Sequence, residues 1–214
     1  FDLNDMGYMK ETDYLMNETE IMYRQTDIWK IFRYNAFTLS QKNMWNYGGT
    51  PFSNNASLRW QSMTMNRYEW DVKETFAWNW LDSRLLRGGP DVRFGSYFLT
   101  SAKFNTDKAK RMMFMLKYEG DHNFEGNRFN TISPSLTFRL GNHVYLSGQL
   151  DYAWNTDEMQ YVATTSPLSS SSLAPYYYVM GHMDQKTYGL TLKLQVNVTP
   201  DISIQFYGAP FTSI

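Results

Sequence analysis

The sequence predicts an all-β chain: an antiparallel transmembrane β-barrel with about ten strands visible, forming part of a larger barrel. Three observations predict it. Long segments alternate apolar and polar residues with a strict period of two. The longest strongly apolar run, Met112 to Leu116, falls far short of the roughly 18–20 residues of a membrane helix, whereas barrel strands alternate and never need such a run. The links between segments alternate short and long, like the tight periplasmic turns and longer extracellular loops of outer-membrane barrels.

In chain order, strands are expected at about 13–24, 28–40 and 55–64. The next is clearer. Tyr68, Trp70, Val72, Phe76, Trp78 and Trp80 share one face, and Glu74 interrupts it. A strand follows over about 92–104. Met112, Phe114, Leu116 and Tyr118 then alternate with Arg111, Met113, Met115 and Lys117. Ile132, Leu136, Phe138 and Leu140 precede Gly141-Asn142, a two-residue hairpin signal, and Val144, Leu146, Leu150, Tyr152 and Trp154 follow it. The strictest segment has Tyr188, Leu190, Leu192, Leu194, Val196 and Val198 against Thr187, Gly189, Thr191, Lys193, Gln195 and Asn197. Thr199-Pro200-Asp201 turns into a last strand carrying Ile202, Ile204 and Phe206.

Short links are expected near 25–27, 65–66, 105–108, 141–142 and 199–201, and long ones near 41–54, 82–91, 121–127 and 156–174. The alternation holds only if 175–198 is one strand, which at ~3.3 Å per residue runs about 75–80 Å, well past a bilayer. Its first half is expected to stand outside the membrane. The apolar face with Trp and Tyr at strand ends suits lipid and its interfaces, and the polar face suits a wet lumen. A soluble β-sandwich also alternates, but with shorter strands and loops unsorted by length.

Composition narrows the function. Twenty Lys+Arg stand against 21 Asp+Glu, for a net charge of −1, so no basic excess favours nucleic acid. There is no cysteine, which removes disulfide scaffolds and Cys-based metal or redox sites. Aromatics reach 17%. His122, His143 and His182 lack metal-binding spacing. Glu18 and Glu20 share a strand face but read as solvated wall charges, not a hydrolase pair. No G-x-S-x-G element supports a serine nucleophile, and Ser169 to Ser172 read as part of a loop. Lumen charges of both signs, among them Asp71, Lys73, Arg111, Lys117, Glu119, Arg139 and Lys193, suit internal ion pairs better than an ion-selective ring. No catalytic, metal or cofactor site is expected.

The residues also resemble a family. Phe1-Asp2-Leu3-Asn4-Asp5-Met6-Gly7-Tyr8, Leu86-Arg87-Gly88-Gly89-Pro90, Gln160-Tyr161-Val162, Asp184-Gln185-Lys186-Thr187, and the stretch from Thr199 to Gln205 with Ala209-Pro210-Phe211 occur in order across residues 1 to 211. Together they resemble an outer-membrane domain of unknown function in Bacteroidota that typically follows a family-9 carbohydrate-binding-like domain. The resemblance implies a C-terminal barrel in the bacterial outer membrane, with further strands on both sides that pair with 13–24 and 202–213. It implies no catalytic residues.

The expected role is therefore structural, docking or transport, with outer-membrane lipid and other outer-membrane or surface proteins as partners. The alternatives are a carbohydrate-binding module, with Trp45, Trp70, Trp78 and Trp80 as sugar platforms, and a barrel associated with carbohydrate hydrolysis. Residues 176–182 carry apolar or aromatic groups on both faces, so something is expected to cover them. The expected interaction surface is Tyr176, Tyr177, Tyr178, Val179 and Met180. The expected cover is the 82–91 loop with Arg87, Gly88, Gly89 and Pro90, or a partner protein seated on the outer surface; those four residues read as a loop turn or as an anion-binding nest.

Overall fold

The computed structural model describes residues 14–82, 84–141, 143–166, 176–199 and 201–214. Phe1 to Tyr8 and Ser169 to Ser172 lie outside them. The described chain is all β. One antiparallel sheet runs in sequence order through β1 (Leu15–Gln25), β2 (Phe32–Trp45), β3 (Pro51–Thr64) and β4 (Glu69–Trp78). After a separate hairpin of β5 (Trp80–Asp82) and β6 (Val92–Phe94), it continues through β7 (Tyr97–Asn105), β8 (Met112–Asn123), β9 (Arg128–Leu140), β10 (Val144–Thr165), β11 (Tyr177–Thr199) and β12 (Ile202–Gly208). The short β13 (Phe211–Ser213) pairs with β11. The sheet is not closed: among the described residues β1 and β12 form its two edges and do not pair with each other. The expected all-β antiparallel architecture is present, and within the described residues it is an open wall with two free edges.

Register carries the alternation across neighbours. Trp70 faces Phe104, and Phe104 faces Leu116. Phe114 faces Leu136, Leu136 faces Gly148, and Gly148 faces Leu192. Leu146 faces Leu194, and Leu194 faces Phe206. Because side chains alternate faces, this register puts one apolar surface on one side of the whole sheet. That surface is uncovered: Leu39, Leu58, Leu146, Leu150, Leu192, Ile204 and Phe206 are all exposed. The described chain's buried hydrophobics are only Ala36, Ala77 and Leu86. Among the described residues the sheet has no second layer to bury this face against.

The opposite face is polar and paired. Arg59 and Asp71 form a bidentate ion pair across β3 and β4, and Gln61 donates to the same carboxylate at 3.2 Å. Lys117 meets Glu119 at 2.7 Å. Gln149 donates to Asp151 at 2.8 Å. Glu74, the charge on the apolar face, accepts a hydrogen bond from the Thr100 hydroxyl at 2.7 Å.

Two expected long links are short. Residues 46–50 and 124–127 join their strands directly, because polar residues such as Lys42 and Asn43 pair with Asn55 and Asn54. A segment polar on both faces reads as loop in sequence, yet backbone pairing needs no apolar face. Residues 156–165 are likewise strand, as the far half of β10. The 23-residue β11 is continuous, as expected. Beyond Thr156, which is the last β10 residue to pair with β9, β10 and β11 pair only with each other and rise above the sheet as a two-stranded arm.

Candidate functional site

The arm and the β5–β6 hairpin meet at the end of the sheet where β4 finishes. Asn79 turns the chain out of β4 with φ 56, a left-handed conformation that Asn tolerates better than most residues. Asp82 then folds the following loop, its Oδ1 accepting the amide hydrogens of Arg84 and Leu85 at 2.7 and 2.9 Å. Leu86 is buried. Arg87 and Gly88 take φ 47 and 99. The Arg87 and Gly89 amides donate to the carbonyls of Arg84 and Leu86 at 3.0 and 3.1 Å. Those two amides are used within the turn, which favours the loop-turn reading of Arg87-Gly88-Gly89-Pro90.

This turn docks on the arm. The ring of Tyr178 lies so close to Gly89 that a Cβ there would stand 2.6 Å from Tyr178 Cε1. The Arg87 guanidinium sits 5.2 Å from the centroid of Tyr161, within cation–π range. The structure therefore brings the two halves of the expected surface together. Tyr178 and Met180 are partly covered, while Tyr176, Tyr177 and Val179 remain exposed. Val162, on the partner strand, is exposed as well. Tyr161 and Val162 stand out in sequence only through the resemblance, and they join this surface because 156–165 is strand, not loop. The alternation of Met159, Tyr161 and Ala163, all partly covered, is the signal that marks them.

Beneath the hairpin lies an open cavity of about 320 Å³. The period of two in β5 and β6 aims Trp80, Asp82 and Phe94 into it, with Trp80 paired to Phe94. The polar face of the wall supplies Tyr97, Asp121 and Phe129 from β7, β8 and β9, and the base of the arm supplies Asp157. Trp80 meets Tyr97 edge to face at 6.0 Å. The cavity joins aromatic planes to carboxylates, and among the described residues no Lys or Arg lines it.

The arm carries one further constellation. His182 Nδ1 lies 3.0 Å from Glu158 and Nε2 lies 3.1 Å from Asp184, which in turn accepts from the Thr156 hydroxyl at 2.7 Å. The Glu158 hydrogen bond, then that of Asp184, raises the His182 pKa above its ordinary 6.5. The Thr156 hydroxyl, then His182, lowers that of Asp184, and Lys186 adds to the effect. A raised histidine contributes stability that is full below its unfolded pKa and lost as pH rises through its folded pKa. A lowered carboxylate contributes above its unfolded pKa and loses its contribution as pH falls. The clasp is therefore tightest in a mildly acidic window. NMR titration should place the His182 pKa above 6.5, and amide exchange over 177–183 should quicken as pH passes that value, after correction for intrinsic rates. His182→Gln should abolish the pH-dependent step; an unchanged profile would contradict the clasp.

The other histidines serve single contacts: His122 with Asn130 at 2.8 Å and His143 with the Asn197 carbonyl at 3.2 Å. Among the described residues no metal-binding cluster forms. Glu18 and Glu20 sit opposite Lys42 and Ser40. Of the four tryptophans, Trp70 begins β4 beside Phe104, Trp78 ends that strand beside Phe76, Trp80 faces the cavity and Trp45 ends β2. They are not gathered into one platform.

Compared with known families, residues 1–213 match the model of a domain of unknown function, DUF5916. The chain belongs to this family. No curated protein and no solved structure matches it. Within this DUF5916 chain, Arg87 to Pro90 form the docked turn, and Gln160, Tyr161 and Val162 lie on the arm. Asp184 to Thr187 lie where the arm rejoins the sheet, and Ile202 to Gln205 open β12. Two of the stretches that carry the resemblance thus meet at one contact between turn and arm, and a third lies at the arm's base.

Proposed function

We propose that this sheet is part of the wall of a bacterial outer-membrane β-barrel with a structural, docking or transport role and no catalysis of its own. In this reading it is a Bacteroidota barrel that follows a family-9 carbohydrate-binding-like domain. One observation carries the reading: the register-matched apolar face that spans the sheet and is covered by nothing among the described residues. Exposed apolar surface on this scale is costly in water and favourable in lipid. The ion-paired opposite face suits a lumen. The edges β1 and β12 would pair with further strands, because open edges do not stand in hydrocarbon. The arm and docked turn would lie at the extracellular end, where Tyr176, Tyr177, Val179 and Val162 offer a surface to other outer-membrane or surface proteins.

Extraction of native membranes tests this reading. The protein should resist high salt and alkaline carbonate and leave only with detergent. Release without detergent would overturn the barrel. Solute flux through liposomes holding the purified protein then separates roles: release supports transport, and a sealed membrane supports docking or scaffolding.

A further inference from the structure

We propose that the cavity beneath the β5–β6 hairpin binds a small organic ammonium ion. The proposal goes beyond the barrel reading and does not depend on where the sheet is embedded. Its walls carry it. Trp80 and Phe94 come from the hairpin above, Tyr97 and Phe129 from the sheet below, and the Trp80–Tyr97 pair is set edge to face. Aromatic faces present negative potential to a cation, most strongly Trp and Tyr.

The charge has the matching sign. Asp82, Asp121 and Asp157 line the cavity, and no cationic side chain among the described residues does. Asp82 is partly engaged by the amides of Arg84 and Leu85, and Asp157 by the Met159 amide at 2.9 Å. Asp121 forms no hydrogen bond or ion pair with any described residue and is only partly open to water. The neighbours of Asp121 across the sheet, Leu99 and Phe129, are apolar. A carboxylate held among aromatic rings without a partner is completed by a cation. A neutral sugar would leave that charge uncompensated.

The volume, about 320 Å³, lies at the small end of ligand sites and suits an alkylammonium chain better than an oligomer. The arm and the docked turn fix the roof, since Arg87 and Gly89 hold the same loop to Tyr161 and Tyr178.

Calorimetric titration of the full chain in neutral detergent at low salt, with cadaverine as probe, decides the proposal. Saturable binding is expected, weakened about tenfold or more by Asp121→Asn and by Trp80→Leu, with no binding of methyl glucoside at the same concentrations. Amide exchange over the hairpin checks that each variant keeps its roof, and Asp157→Asn replaces any variant that does not. Absence of saturable cadaverine binding overturns the proposal. So does cadaverine binding that is unchanged in roof-intact variants, or methyl glucoside binding of equal strength.

Discussion

Replacing Leu192 with arginine is expected to destabilise the protein in lipid by about 2–4 kcal/mol, the range for a cation on the lipid face of a barrel near the midplane. Leu192 lies between Leu190 and Leu194 on the apolar face of β11 and is 39% exposed. Its neighbours across the sheet are Gly148 and Gly208. Neither carries a side chain that could shield or pair with a guanidinium. Thr191, one residue away, faces the other way beside Gln149. Thr191→Arg should therefore cost far less. Reversible urea unfolding in lipid vesicles reads both variants, and equal losses would overturn the assignment of faces.

Substitution of Gly89 by valine is expected to lift the turn off the arm. Even a Cβ at this position would stand 2.6 Å from Tyr178 Cε1 and 2.7 Å from the phenolic oxygen. The ring can yield only by leaving its seat, and a branched side chain then fills it. Gly88→Ala acts differently, because nothing lies within 4 Å of the added carbon but φ is 99. That change should cost about 1–2 kcal/mol of backbone strain. Arg87→Ala removes only a cation–π contact of about 0.5–1 kcal/mol. Hydrogen exchange read by mass spectrometry should show Gly89→Val raising exchange at least tenfold in both 84–94 and 177–183. Gly88→Ala should follow, and Arg87→Ala should do least. Arm exchange that stays unchanged while the hairpin loosens would show that the two are not coupled.

Much of the wall was legible because alternation is a direct record of a two-sided sheet. Tyr188 to Val198 and Val144 to Trp154 pair as their patterns require. The ten expected strands correspond to β1–β4 and β7–β12. Illegible were stretches whose pairing leaves no apolar mark. Gln41 to Trp45 and Pro51 to Asn54 form strand ends with mixed faces. The segment expected over 92–104 holds Gly95-Ser96, and there the chain passes from β6 in one sheet to β7 in another. Trp80 continues the alternation of β4 in sequence, yet Asn79 with its positive φ moves it into the hairpin. The cavity was invisible for the same reason. Its residues come from both sheets and the arm, and no spacing in the chain links Trp80, Asp121 and Asp157. The uncovered aromatics left two covers open, the 82–91 loop or a partner protein, and the Gly89–Tyr178 approach shows the loop in contact with the strand.

The central claim is that the apolar face of this sheet meets lipid. The absence of cysteine makes site-directed spin labelling clean. Single cysteines placed at each position from 188 to 196 and labelled with nitroxide, in the protein reconstituted into bilayers, should report a period of two. Positions 188, 190, 192, 194 and 196 should be accessible to oxygen and shielded from a water-soluble nickel reagent, and positions 189, 191, 193 and 195 should show the reverse or little access to either. Even-numbered positions open to the nickel reagent, or accessibility without alternation, would contradict the account.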